Sequence, residues 1–188
     1  MTEQELIAGL KRGDESSFQY LVETYKDLVY NTAYGLLQQA QDAEDVAQEV
    51  FLQVFRSIQS FKSEAKLSTW LYRITTSRAL DLIRSKKSKK RFGIIQRLWG
   101  GDEEVALDIP DLHHPGVAME QKEDAEQLMR AISKLPDNQR IAFTLHKLEG
   151  LSYQEVSEIM ENSLPAVESL MHRARLNLRK ILEQQILK

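Results

Sequence analysis

Between Phe61 and Arg91 aromatic rings and cations are interleaved in a pattern that suits a single nucleic-acid strand. Phe61, Trp70 and Tyr72 lie among Lys62, Lys66, Arg73, Arg78, Arg84, Lys86, Lys87, Lys89, Lys90 and Arg91. Cations follow a phosphate backbone while bases stack on rings, each stacked base contributing about 1–3 kcal/mol. Trp70 and Phe61 taken singly also read as ordinary core residues, because Trp is usually largely buried. The charge is harder to assign to a solvated helix end. A helix with so many cations and so few anions repels itself unless a polyanion is bound.

A second constellation spans residues 152–175. Ser152-Tyr153-Gln154-Glu155 has the spacing of a capping box, a hydroxyl followed three residues later by Glu. Val156, Ile159 and Met160 supply an apolar face, and Ser157 is small enough for a close helix crossing. Glu161-Asn162-Ser163 reads as a short turn. Ser163 can cap a second helix, in whose first turn Pro165 is tolerated. Val167, Leu170, Met171 and Ala174 then point inward, leaving Glu168, Ser169, His172, Arg173 and Arg175 outside with Ala166 near the start. This is the layout of a helix-turn-helix, whose second helix enters the major groove. Ser, Glu and Arg can contact base edges, and Arg173, Arg175, Arg179 and Lys180 can grip phosphates. Spacing alone leaves an αα-hairpin at the end of a bundle equally open. The turn lacks the usual Gly, and Asn162 stands where an apolar residue is common.

Enzymatic chemistry finds little support. There is no Gly-rich phosphate loop and no His/carboxylate catalytic pattern. The absence of Cys removes disulfides and thiolate metal sites, and fits a reducing compartment. His113-His114 reads as a pair of solvated loop residues, and Asp102-Glu103-Glu104 as part of an acidic linker. No catalytic residue, metal or cofactor is therefore expected.

Helices must position these groups. Gln4–Arg12 is a short amphipathic run with Gly13 as its C-cap. Asp14 to Ser17 opens a second helix carrying Phe18, Leu21, Val22, Tyr25, Leu28, Val29 and Thr32 at helical spacing. Asp42–Ile58 is a third, with Ala43, Val46, Ala47, Val50, Phe51, Val54 and Phe55 expected on its inner face. Residues 60–66 read as a loop. Ser68 is expected to cap a fourth helix from Thr69 to about Lys90. Gly93, Gly100-Gly101, Pro110 and Pro115 then punctuate an acidic stretch, too long for a connection inside one compact domain. Further helices are expected at 121–134, 137–148, 152–160 and 164–183, separated by Pro136 and Gly150. The fold class is all-α: two small helical domains, 1–92 and 121–188, joined by a flexible linker at 93–120, the second domain containing the helix-turn-helix.

The net charge of −3 conceals strong segregation. Residues 1–60 carry −6, 61–99 carry +9, 100–126 carry −8 and 127–188 carry +2. Such sign asymmetry indicates separate surfaces for separate partners. No stretch approaches the roughly 20 apolar residues that span a bilayer. The acidic N-terminus lacks the pattern of a signal peptide. A cytoplasmic protein without membrane insertion is expected, with no further domain after the last helix.

Five blocks carry a family resemblance: Asp42-Ala43-Glu44-Asp45-Val46-Ala47-Gln48-Glu49-Val50-Phe51, Leu67-Ser68-Thr69-Trp70-Leu71-Tyr72-Arg73-Ile74, Leu135-Pro136-Asp137-Asn138-Gln139-Arg140, Leu151-Ser152-Tyr153-Gln154-Glu155-Val156, and His172-Arg173-Ala174-Arg175-Leu176-Asn177-Leu178-Arg179. In this order and at these gaps the chain resembles the extracytoplasmic-function (ECF) class of bacterial sigma-70-type RNA polymerase sigma factors, from about residue 4 to residue 183.

The resemblance implies core RNA polymerase and promoter DNA as partners, with no small-molecule substrate. It places the third helix on the clamp helices of the polymerase largest subunit, through Asp42, Asp45, Gln48, Glu49 and Leu52. It assigns the minus-ten element to Phe61, Lys66, Ser68, Thr69, Trp70, Arg73, Ser77, Arg78, Arg84, Lys86 and Lys87, with a flipped base held around residues 60–77. It assigns the minus-thirty-five element to Ser163, Ala166, Glu168, Ser169, His172, Arg173 and Arg175. The acidic linker would follow the template and RNA path. Many members of the class are held inactive by an anti-sigma factor, so such a partner is a further expectation. Three positions depart from the usual pattern. Ser77 stands where Asn is common, and Glu168 and Leu170 replace the usual cations of the recognition helix, which leaves the preferred bases open.

Two other readings compete. A stand-alone helix-turn-helix regulator would leave the acidic third helix and the aromatic loop without a task, and co-purification with core polymerase separates it from a sigma factor. A nucleic-acid hydrolase would need the catalytic groups that are missing.

Overall fold

The computed structural model describes residues 1–98 and 119–186. The expected linker residues 99–118 lie outside the described residues, including His113, His114 and the Asp102-Glu103-Glu104 cluster.

The first unit contains α1 (Glu3–Arg12), α2 (Glu15–Leu37), α3 (Ala40–Ser57) and α4 (Leu67–Leu98). Helix α1 starts with a capping box in which Thr2 and Glu5 cap each other's backbone N–H. Gly13 closes the helix at φ 74°, the left-handed conformation expected of a C-cap glycine. Gly9 lets α2 approach, because a Cβ there would lie 2.0 Å from Ser17 Oγ. Leu6, Leu21, Val29, Val50, Val54, Leu67 and Leu71 are at most 2% exposed and form the core of this unit.

Three expectations about these helices need correction. Phe55 does not face inward; it is 59% exposed. The buried stripe of α3 is Ala43, Val46, Val50 and Val54, continued by Ile58 in a 3-10 turn. Phe55 lies beyond its edge and meets the ring of Phe18 edge-on, with ring centroids 5.6 Å apart. Ser68 does not cap α4. The helix begins at Leu67, two residues before Thr69, with Trp70 N–H bonding back to Lys66 carbonyl. Glu3 of α1 reaches across to accept from Leu67 N–H at 3.3 Å, so a distant carboxylate satisfies one of the free N–H groups of that terminus. Helix α4 also passes Gly93 and runs to Leu98. One helical Gly costs about 1 kcal/mol, less than a continuing run of helix formers can offset.

The second unit contains α5 (Met119–Ser133), α6 (Asp137–Phe143), a π-helical turn (Thr144–Leu148), α7 (Tyr153–Met160) and α8 (Leu164–Ile186). The helix expected over 137–148 therefore widens at Thr144. Ile132, Leu135, Leu145, Val156, Val167, Met171 and Ala174 fill the core between α5, α6, α7 and α8. The two units also pack on each other. Leu36, Tyr72, Ala79 and Leu80 of the first are continuous with the core of the second. Gly35 makes room for this contact: a Cβ would lie 2.9 Å from Thr144 Cγ2 and 3.1 Å from Leu148 Cδ1.

Candidate nucleic-acid interface

Helix α4 and the turn before it carry the first surface. Phe61 is buried, 7% exposed, and stacks against Trp70 with centroids 4.8 Å apart and planes 29° apart. Lys11 Nζ donates to Phe61 carbonyl at 2.8 Å and ties the turn to α1. Phe61 thus supports the ring of half-buried Trp70 from below. Thr69 is also buried, whereas Lys66 and Ser77 are exposed and Ser68 is half-buried. Arg78 Nε donates to Gln53 Oε1 at 2.7 Å and braces α4 on α3.

Trp70, Arg73, Ser77, Leu80, Arg84 and Lys87 recur at steps of three and four, so they form one stripe along α4. With Gln53, Ile74 and Thr76, the upper part of this stripe makes one wall of a cleft of about 640 Å³. Asn138, Ile141, Ile159, Met160, Glu161 and Asn162 make the facing wall. Arg73 donates to Glu158 carbonyl at 2.7 Å and pairs with Glu161 at 3.1 Å. Asp137 lies 3.7 Å from Arg84 and 3.4 Å from Lys87. Lys86 turns away to Asp42 and Gln39. Sequence reasoning gave no hint of these partners, because all but Asp42 and Gln39 come from the other unit.

The second surface is α7 and α8. Ser152 and Glu155 form the expected capping box, which holds the Glu155 carboxyl below its usual range through the Ser152 backbone and hydroxyl. The turn without Gly is made by Glu161 itself at φ 52°, which costs a non-Gly residue about 1 kcal/mol. Ser163 Oγ accepts from Ala166 N–H at 3.4 Å. Val167, Met171, Ala174 and Leu178 are buried, while Glu168, Ser169, His172, Arg173 and Arg175 are exposed along one flank. Ala166 and Leu170 are half-buried. Arg175 is steadied by Tyr153 Oη at 3.0 Å, and Arg173 Nε by Ser169 carbonyl at 3.3 Å.

A third surface lies on α3. Asp45, Gln48, Leu52 and Phe55 follow one another at i, i+3, i+7 and i+10 along one side of the helix, with Glu49 beside them. Asp45, Gln48, Glu49, Leu52 and Phe55 are exposed, and Asp42 and Ala47 are half-buried. Leu52 is 51% exposed. Asp42 pairs with Lys86. Among the described residues no helix is long and apolar enough to cross a membrane.

Comparison with known proteins defines the class first. Sigma-70 region 2 matches residues 21–89 and sigma-70 region 4 matches residues 125–178. The chain is 34% identical to the ECF RNA polymerase sigma factor SigW of Bacillus subtilis (strain 168), over 93% of each chain. It is 33% identical to the ECF RNA polymerase sigma-E factor of Haemophilus influenzae, over 93% of this chain and 92% of that one. The chain belongs to the ECF sigma factors, initiation subunits that direct RNA polymerase to promoters. Its fold is similar to that of CnrH in complex with the cytosolic domain of CnrY, with a TM-score of 0.68, 97% coverage of both chains and 20% identity. It is also similar to the sigma factor RpoE in complex with the anti-sigma factor NepR from Bartonella quintana, with a TM-score of 0.62, 88% and 96% coverage and 22% identity.

Proposed function

We propose that the three surfaces divide initiation between them. The stripe of α3, with Asp42, Asp45, Gln48, Glu49 and Leu52, docks on core polymerase. The α4 surface melts and holds the minus-ten element: Trp70, backed by Phe61, stacks a non-template base, and Arg73, Arg78, Arg84, Lys86, Lys87 and Lys66 follow its phosphates. Ser68, Thr69 and Ser77 border the site of the flipped base. The α8 flank reads duplex minus-thirty-five DNA through Ser163, Ala166, Glu168, Ser169, His172, Arg173 and Arg175. The chain itself catalyses nothing and works in the cytoplasm beside the chromosome. An anti-sigma factor is the partner that would restrain it.

One observation carries this reading: a ring supported for stacking and a capped helix-turn-helix with an exposed basic flank occur in one chain beside an exposed α3 stripe. In vitro transcription with core polymerase on a promoter library tests it directly. Specific initiation that depends on the chain is expected; no start site under any template would overturn it.

Two further outcomes follow from the residues. Replacing Arg84, Lys86 and Lys87 together with Ala leaves up to three phosphates without a cation. The slope of log K against log salt for open-complex formation should then fall in magnitude by about 0.7–0.9 for each such phosphate. An unchanged slope removes α4 from the DNA path. Glu168 has no ion-pair partner among the described residues and can accept from a cytosine amino group. Glu168→Ala should relax discrimination at one base pair of the upstream element by about 1–3 kcal/mol, read by a randomised-promoter selection. Equal relaxation everywhere, or nowhere, removes Glu168 from base reading.

A further inference from the structure

The connection from Phe61 to Lys66 leads from the 3-10 turn into α4, and its first residue stacks on Trp70. It has little structure of its own. Among the described residues, Lys62, Ser63, Glu64 and Ala65 make no hydrogen bond. Lys62, Ser63 and Glu64 are exposed, and Ser63 stands at φ 58°, in the left-handed region that a non-Gly residue disfavours. A segment of this kind left to itself samples many conformations, and holding it in one costs backbone entropy. Helix α1 is what holds it. Lys11 Nζ donates to the carbonyl of Phe61 at 2.8 Å, where the connection begins. The Gln59 amide donates to the carbonyl of Lys11, so the 3-10 turn is tied to the same residue. Glu3 Oε1 accepts from Leu67 N–H at 3.3 Å, where the connection ends. Glu3 and Lys11 lie about 12 Å apart along the helix axis, at about 1.5 Å per residue. The two ends of the connection are therefore fixed at separate points on one helix. That helix is itself firmly seated. It is capped by the Thr2–Glu5 box and by Gly13, and Leu6, Ile7 and Leu10 are buried in the core that also holds Phe61 and Leu67.

We propose that α1 is a template for base capture, in which Lys11 and Glu3 are positioning residues that hold the connection from Phe61 to Leu67 in its base-accepting shape before DNA arrives. The proposal rests on the promoter reading given above. Neither residue needs to touch DNA. Both bind backbone groups, so each fixes the path of the chain beside the Phe61–Trp70 stack. A site shaped in advance loses less conformational freedom when its ligand binds. The effect therefore falls on the step that unstacks a base. Docking on polymerase through α3 and reading of duplex through α8 use other elements and should not feel it.

The test uses the full chain assembled with core polymerase, on promoter DNA that carries 2-aminopurine in the non-template strand of the minus-ten element. The fluorescence of this base rises when it leaves the stack. Lys11→Met keeps the stem of the side chain and loses the donor, whereas Lys11→Arg retains one. Glu3→Met removes the acceptor for Leu67 N–H, whereas Glu3→Gln retains one. Each Met variant should lower the equilibrium for unstacking about tenfold, and the Arg and Gln variants should stay within about threefold of the parent. Affinity for core polymerase and for duplex minus-thirty-five DNA should also stay within about threefold. The salt slope of unstacking should not change, because Lys11 faces a carbonyl and not a phosphate. A slope smaller by about 0.7–0.9 in Lys11→Met would make Lys11 a direct DNA contact and overturn the positioning role. Parental unstacking in both Met variants would overturn it too, as would loss of polymerase and duplex binding in step with unstacking, the mark of general unfolding. Lys11 and Glu3 grip opposite ends of the connection, so either pair of variants decides if a member of the other fails to fold. A parent chain that joins polymerase and unstacks no base refutes the promoter reading itself. Normal unstacking by the parent and by every variant refutes the template alone.

Discussion

Replacing Leu52 and Phe55 together with Ser should weaken binding to core RNA polymerase by about 10- to 100-fold while leaving the chain folded. Both side chains are more than half exposed on one stripe of α3. Solvent therefore already surrounds most of each, and the core of the first unit loses little when they are removed. Full burial of a wholly exposed Leu or Phe contributes about 1.5–3 kcal/mol; roughly half of each side chain is left to bury, so the pair supplies about 1.5–3 kcal/mol. Each 1.4 kcal/mol is about tenfold in Kd. The acidic neighbours should behave differently. Asp45 and Glu49 are exposed at the rim, so neutralising them should lower the association rate and its salt dependence more than it raises the dissociation rate. The measurement is fluorescence anisotropy of labelled chain titrated with core enzyme, with a circular dichroism melt as the control for folding. Binding of the double Ser variant within about threefold of the parent would place the docking surface elsewhere.

Phe55 marks where sequence reasoning reached its limit. Its apolar character fitted the periodic stripe of α3, and only the three-dimensional packing shows that Val54 and Ile58 fill the inner face without it. Local signals were legible: Gly13 as a C-cap, the Ser152–Glu155 capping box, and the alternation of buried and exposed residues along α8 all follow from short-range rules. The helices that carry the candidate residues were legible for the same reason, but their faces were not fully so: Thr69 is buried, Arg78 braces α3 and Lys86 turns to Asp42. Long-range substitutes for local rules were not. Glu3 assists the start of α4 in place of Ser68, and Glu161 adopts a left-handed turn in place of Gly. The packing of one unit on the other was also hidden. It depends on Gly35 meeting Thr144 and on Asp137 meeting Arg84, pairs far apart in sequence with no periodic relation.

Arg140→Ala should destabilise the chain by about 3 kcal/mol or more, the largest single-residue effect expected outside the apolar core. Arg140 ends the Leu135-Pro136-Asp137-Asn138-Gln139-Arg140 block and, as a cation in a DNA-binding protein, invites the role of a phosphate contact. The structure gives it another. It is 4% exposed, and its guanidinium donates to the carbonyls of Leu36, Ser133 and Leu135. Two of these carbonyls, of Leu36 and Ser133, lie at the C-terminal ends of α2 and α5, where helix dipoles concentrate partial negative charge. Burial lowers the pKa of the guanidinium, a shift that the charge of Asp137 opposes. Removing the side chain leaves three inward carbonyls without that donor and opens a cavity. Arg140→Lys should recover only part of the loss, because a single ammonium cannot reproduce the planar fork. For a chain of this size about 3 kcal/mol corresponds to a fall in Tm of about 6–12 °C, read by thermal unfolding without DNA. A phosphate-contact role predicts the opposite pattern, weakened promoter binding with an unchanged melt. Since one of the three carbonyls, that of Leu36, belongs to the first unit, the variant should also loosen the packing between units.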